Sequence, residues 1–117
     1  MKRIVARFYR TDTGREPVRD WLFSLDAEDR KIVGKDIATV EFGWPVGMPI
    51  CRPLHGGVFE VRSTIRSGKV EARTYFAIER DTLVLLHGVE GKQRQDDAIA
   101  LARERLRDYR RRMAARQ

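Results

Sequence analysis

The sequence predicts an α+β domain: a small, curved, mostly antiparallel sheet with an N-terminal helical hairpin and a C-terminal helix, in the order β-α-α-β-β-β-α. Three observations carry that prediction. Alternation of apolar with polar residues marks one strand at the start and strands again between 58 and 87. Apolar residues recur at helical spacing in two segments after the first strand and once more towards the end. Gly, Pro and Asp stand at the breaks between these segments. A chain of 117 residues suits a single domain, 1–117, and the element order suggests a sheet backed by helices on one face.

The first strand is Ile4, Ala6 and Phe8 alternating with Val5, Arg7 and Tyr9. TDTGREP breaks it, and Pro17 suits the first turn of a helix, where its missing N–H is no loss. Trp21, Leu22 and Leu25 give that short helix one apolar side. Asp26 reads as the N-cap of a second helix, with Asp29 three residues on in the position of a capping box. Val33, Ile37, Val40 and Trp44 follow at helical spacing, and Trp44-Pro45 closes the element because a residue before proline is pushed out of the α region. The two helices form an antiparallel hairpin over one face of the sheet. GWPVGMPICRPLHGG reads as the longest irregular segment. Strands are expected over Val58 to Arg66, Lys69 to Ile78 and Leu83 to His87, with turns at Ser67-Gly68 and Arg80-Asp81. Leu83, Val84, Leu85 and Leu86 do not alternate, the mark of a central strand covered on both faces. The last helix carries Ala98, Ala102, Leu106, Tyr109 and Met113 on one side and Arg103, Arg105, Arg107, Arg110, Arg111 and Arg112 on the other.

Composition narrows the function. A net charge of +7 suggests a polyanionic partner, nucleic acid or an acidic protein. The single cysteine, Cys51, rules out an internal disulfide and points to a reducing compartment. No apolar run approaches the roughly 18–20 residues of a membrane span, and MKRIVARFYR lacks the apolar core of a signal peptide, so a cytoplasmic protein with no membrane partner is expected. Two histidines and one cysteine without HxxxH or CxxC spacing argue against a metal site. No Walker loop, GxSxG or GxGxxG is present, and no cofactor is expected.

The segment EVRSTIRSGKVEARTYF concentrates the chemistry. A turn at Ser67-Gly68 pairs Ile65 with Val70 and Phe59 with Phe76, sets Arg66 against Lys69, and places Arg62 directly opposite Arg73. Opposed like charges destabilise a ladder by up to about 1 kcal/mol. Two readings follow. The pair is a phosphate clamp, with Tyr75 beside it to stack on a base or donate a hydrogen bond. Alternatively Glu60 and Glu71, on the same face, make the cluster an ordinary charge ladder. Removing Arg73 leaves stability unchanged or slightly raised on the first reading and lowers it on the second. His55 in a Gly-rich loop and His87 at the end of an apolar strand are candidate acid–base groups. Lys92 and Arg94 follow the central strand in a loop that can approach the hairpin.

PLHGGVFEVRS, EARTYFAIERDTLVLLHGVEGK and the charged ALARERLRDY together resemble the HigB-like, phage-derived branch of the RelE/ParE toxin superfamily. The resemblance runs from about Pro17 to Tyr109 and is strongest over Pro53 to Lys92. It implies a RelE-like α+β fold and the toxin of a type II toxin–antitoxin pair, neutralised by a small helix-turn-helix antitoxin. RelE-like members cut mRNA on the ribosome without a metal, whereas ParE-like members poison DNA gyrase. A catalytically degenerate, antitoxin-binding member is a further alternative. On the RelE-like reading Arg73, Arg62, Lys92 and His87 carry catalysis, and Tyr75, Arg66, Lys69, Arg94 and His55 contact RNA. The chain departs from the branch after its His-Gly, with Val89 and then Gly91-Lys92, and with Asp96-Asp97 opening the last helix.

Overall fold

Helices cover both faces of one central sheet. The computed structural model describes residues 4–47, 50–91 and 94–116. Over these residues the elements are β1 (Val5–Phe8), α1 (Pro17–Ser24), α2 (Ala27–Gly43), β2 (Cys51–Pro53), β3 (Phe59–Ile65), β4 (Val70–Glu79), β5 (Thr82–Glu90) and α3 (Gln95–Ala115). The strands lie in the order β1-β5-β4-β3-β2, with β1 parallel to β5 and the other pairs antiparallel. This is the predicted α+β order with one addition. β2 interrupts the segment expected to be irregular, pairing Cys51 with Val61 and Pro53 with Phe59. Its three residues show no alternation long enough to read, and Pro53 is tolerated because β2 is an edge strand.

Local signals explain the helices. Pro17 opens α1, and the Asp26 carboxylate accepts from the Asp29 N–H at 2.9 Å to cap α2. Val33, Ile37 and Val40 are buried, and Trp44, extended before Pro45, meets Phe59 and Phe76 edge to face at 5.0 and 6.0 Å. These residues, with Val18 and Leu25, join Val61, Ile65, Ala72, Phe76, Leu83 and Leu85 in a core on one face of the sheet.

The other face has a core of its own. There Ala98, Ala102 and Leu106 of α3 pack against Val58, Tyr75, Ala77, Val84 and Leu86. The expectation of helices on one face is therefore corrected: α3 lies opposite α1 and α2. The unbroken apolar run of β5 already required cover on both sides, and α3 supplies the second.

Two details position the site. The β4–β5 register passes from Phe76–Leu85 to Tyr75–His87 and leaves Leu86 without a partner, a bulge in β5. The extra residue resets the alternation, so His87 and Val89 share the α3 face with Tyr75 and Arg73, while Gly88 turns to α1. There the Trp21 ring lies so close that a Cβ on Gly88 would sit 2.1 Å from it. At the sheet's β1 edge, the Glu41 carboxylate accepts the Ala6 N–H at 2.6 Å.

Candidate anion-binding site on the β3–β4 hairpin

The hairpin has the predicted register, with Ile65 opposite Val70, Phe59 opposite Phe76, and Arg62 opposite Arg73. The ladder stops at Ile65–Val70, so Arg66 and Lys69 belong to the turn instead of facing each other across strands. Ser67 and Gly68 have φ of 54° and 86°, the positive values that a type I′ turn requires at both central positions. Arg66 is also left-handed, at 53°, and its N–H donates to buried Asp29 Oδ1 at 3.0 Å. Asp29 thus ties α2 to the turn with the carboxylate expected to complete a capping box.

Glu60 decides how the two arginines coexist. It is fully buried, and its Oε1 lies 2.9 Å from Arg73 Nε and 3.3 Å from Arg62 Nε. The Arg73 Nε–H is not aimed at that oxygen, so the contact is an ion pair without a hydrogen bond. Arg73 instead donates through Nη1 to the Gly91 carbonyl at 2.9 Å and through Nη2 to Glu71 Oε1 at 3.4 Å. The same Glu71 oxygen lies 3.4 Å from Arg62 Nε. Side-chain exposure separates the arginines: 6% for Arg73 against 42% for Arg62. Arg73 is a structural member of the sheet, and Arg62 presents its charge to solvent.

Magnitudes settle the stability question. Like-charge opposition is worth up to about 1 kcal/mol, whereas removing one partner of a buried ion pair costs roughly 3–5 kcal/mol. Taking away Arg73 would leave Glu60 buried with only Arg62 beside it. The expectation of unchanged or raised stability without Arg73 is corrected.

Above the pair lies an open groove of about 380 Å³ lined by Arg62, Lys69, Val70, Glu71, Arg73 and Gly91. Among the described residues, three cations and one carboxylate line it, with the buried Glu60 carboxylate paired to two of the cations.

The remaining candidates are placed less uniformly. His87 stacks on Tyr75, with ring centroids 6.2 Å apart, and lines a separate groove of about 690 Å³ with Thr11, Trp21 and Arg105. Arg105 Nη1 lies 3.2 Å from His87 Nδ1, and because arginine only donates, the imidazole proton belongs on Nε2. Burial first, and Arg105 second, push the His87 pKa down to about 4. A neutral imidazole outside the arginine groove is not placed as the acid–base partner expected there. Tyr75 is fully buried; burial and then Glu60 raise its pKa to about 12, and no ring face is open to a base. The expectation of base stacking is corrected, since α3 and His87 occupy that side. Arg66 makes a two-pronged ion pair with Glu90, both contacts at 2.9 Å. Arg94, exposed and left-handed, precedes α3, and His55 lies at the opposite end of β3 from Lys69. Neither lines the groove. Lys92 lies outside the described residues.

Arginines of α3 tie that helix to the rest of the fold and to its own Asp108. Arg103 donates to the His55 carbonyl at 2.9 Å, Arg105 to the Leu86 carbonyl at 2.8 Å, and Arg110 pairs with Glu79 at 3.0 Å. Arg111 and Arg112 pair with Asp108.

Arg52 was not visible as a site residue. It is exposed on β2 as the Cα partner of Glu60, which extends the cation row of Arg62 and Arg73. Once β2 is known, its pairing places Arg52 on this face. Among the described residues, no three His, Cys, Asp or Glu side chains gather to hold a metal, and no helix is long and apolar enough to cross a membrane.

No curated protein matches the chain. Residues 20–107, well over half its length and including the whole hairpin, match the family described as phage derived protein Gp49-like (DUF891). The chain belongs to this Gp49-like phage-derived family, a RelE/HigB-like toxin family.

Proposed function

We propose that the protein is the toxin of a type II toxin–antitoxin pair and acts as a metal-independent, ribosome-dependent mRNA endoribonuclease. The observation that supports this most is the groove over Arg62 and Arg73, where Lys69 adds a third cation and the planar guanidinium of Arg62 is open to a phosphate. In the reaction, the 2′-hydroxyl attacks the adjacent phosphorus and loses its proton to a base. A pentacoordinate phosphorane forms, the P–O5′ bond breaks, and the 5′-oxygen leaves with a proton from an acid. A 2′,3′-cyclic phosphate and a 5′-hydroxyl result. Arg62 and Lys69 stabilise the charge that builds on the non-bridging oxygens, a contribution that is large when the donors are already in place. Arg73, fixed by Glu60 and the Gly91 carbonyl, holds the floor of the groove. Lys92, the next residue in sequence after the groove residue Gly91, is assigned the proton transfer in this scheme.

The antitoxin is the second partner. An acidic segment would find +7 of charge on the chain, and its association rate should fall as salt rises. One observation favours a second reading, a binding protein without catalysis, aimed at gyrase or kept only for its antitoxin: the Arg73 guanidinium is already occupied inside the fold. RNA ends mapped transcriptome-wide after brief induction decide between them. New 5′-hydroxyl ends within translated codons are expected. Growth arrest with intact mRNA would refute the ribonuclease.

A further inference from the structure

Among the described residues, Glu71 is the one carboxylate lining the groove, on a wall otherwise basic or apolar. Its Oε1 lies 3.4 Å from Arg62 Nε and 3.4 Å from Arg73 Nη2. One oxygen shared by two guanidinium groups is the arrangement a phosphate oxygen adopts in an arginine clamp. Both contacts are long for charge-assisted hydrogen bonds, and the side chain is 43% exposed. Glu60 also shares one oxygen between the two guanidinium groups, but it is fully buried, lies 2.9 Å from Arg73 and does not line the groove.

The backbone at Glu71 is fixed by the sheet, whereas its half-exposed carboxylate is held by the two 3.4 Å contacts. Its carbonyl accepts the Gly91 N–H at 2.9 Å, and its Cα pairs with Thr64. Only the side chain has to turn for the oxygen to leave the arginines, and solvent lies on that side.

Resting on the anion-groove reading above, we propose that Glu71 is an internal competitor of the substrate: its carboxylate occupies the phosphate position between Arg62 and Arg73 and swings out when RNA binds. Glu60 stays, so the arginines keep their spacing, and the groove gains one net positive charge as the competitor leaves. Glu71 therefore weakens binding of every phosphodiester alike. RNA that other contacts hold in place, as on a ribosome, displaces it more readily than free RNA does.

The test uses the purified full chain and a fluorescent 2′-O-methyl oligoribonucleotide, whose blocked 2′-oxygen cannot attack the phosphate, titrated at one fixed salt concentration. Glu71→Gln removes the charge, Glu71→Asp keeps it but draws it back from the arginines, and Glu90→Gln removes a carboxylate that pairs with Arg66 and does not line the groove. Glu71→Gln is expected to bind about two- to fivefold tighter than the unaltered chain, the range that exposed ion pairs span. Glu71→Asp should also bind tighter although net charge is unchanged, and Glu90→Gln should bind less tightly than Glu71→Gln. The proposal fails if Glu71→Gln gains no more than Glu90→Gln, if Glu71→Asp binds like the unaltered chain, or if none of the proteins binds the probe. Cleavage is scored separately by mapping RNA ends after induction. Tighter binding by Glu71→Gln with no mRNA cleavage by any form keeps the competitor and rejects the ribonuclease. Cleavage with unchanged binding does the reverse.

Discussion

Arg62 and Arg73 share one rung of the ladder, yet their surroundings assign them different work. Arg73→Ala is expected to lower the unfolding free energy by about 2–4 kcal/mol, near the cost of breaking a buried pair and eased by Arg62 remaining beside Glu60. Arg62→Ala should cost under about 1 kcal/mol, as for an exposed pair. Urea midpoints of the two variants measure this directly, and comparable losses would mean that the arginines are not divided in this way. Arg62→Ala is then the cleaner probe of growth arrest, because any loss of toxicity comes from a folded protein. His87 gives a test against pH. Its folded pKa of about 4 lies below the ordinary 6.5, so the unfolded chain binds the proton more tightly. Its contribution is complete above pH 6.5 and is lost as pH falls towards 4, by up to about 1.4 kcal/mol per unit. Urea midpoints on either side of this window should fall more steeply for the unaltered chain than for His87→Gln; parallel slopes would show that His87 titrates normally. Opposition of Arg62 and Arg73 was legible in the residues, because register follows from a two-residue turn and an alternating apolar face. The burial of Glu60 and Tyr75 was not, since it depends on β2 and α3, elements far from the hairpin in sequence or too short to announce themselves.

At the scale of elements, the bulge in β5 governs what each side of that strand meets. Gly88 faces α1 because of it, and Gly88→Ala would drive a methyl group into the Trp21 ring. A loss of more than about 2 kcal/mol is expected, since overpacking a strand against a helix forces both to move. Trp21→Ala should cost less in the Gly88→Ala background than alone, and a double-mutant cycle on urea midpoints measures the difference. Additive losses would mean that the two residues do not meet. The strands, the helical hairpin and the last helix could be read from periodicity, Pro17, Asp26 and the two turns. β2 could not, because three residues carry no period. Nor could the bulge, because Leu83 to Leu86 are apolar on both faces and a skipped residue changes nothing in that pattern.

For the whole molecule, one sheet divides two cores, and β4 and β5 contribute alternate side chains to each. That sharing predicts a single cooperative transition. Trp21 and Trp44 both lie with the α1–α2 core, so tryptophan fluorescence reports that side. Leu106→Ala, in the α3 core, should cost about 2–5 kcal/mol and lower the fluorescence midpoint as far as the circular-dichroism midpoint. A fluorescence midpoint left in place would show that the cores melt separately. The sheet also has two rims. At one, Glu41 accepts the Ala6 N–H; at the other, β2 is three residues long and includes Pro53. Fibrils of strand-rich chains grow when one copy's rim templates the next. Here one rim spends a backbone donor on the molecule's own carboxylate, and the other is short and lacks a donor at its proline, so each copy offers the next a poor template.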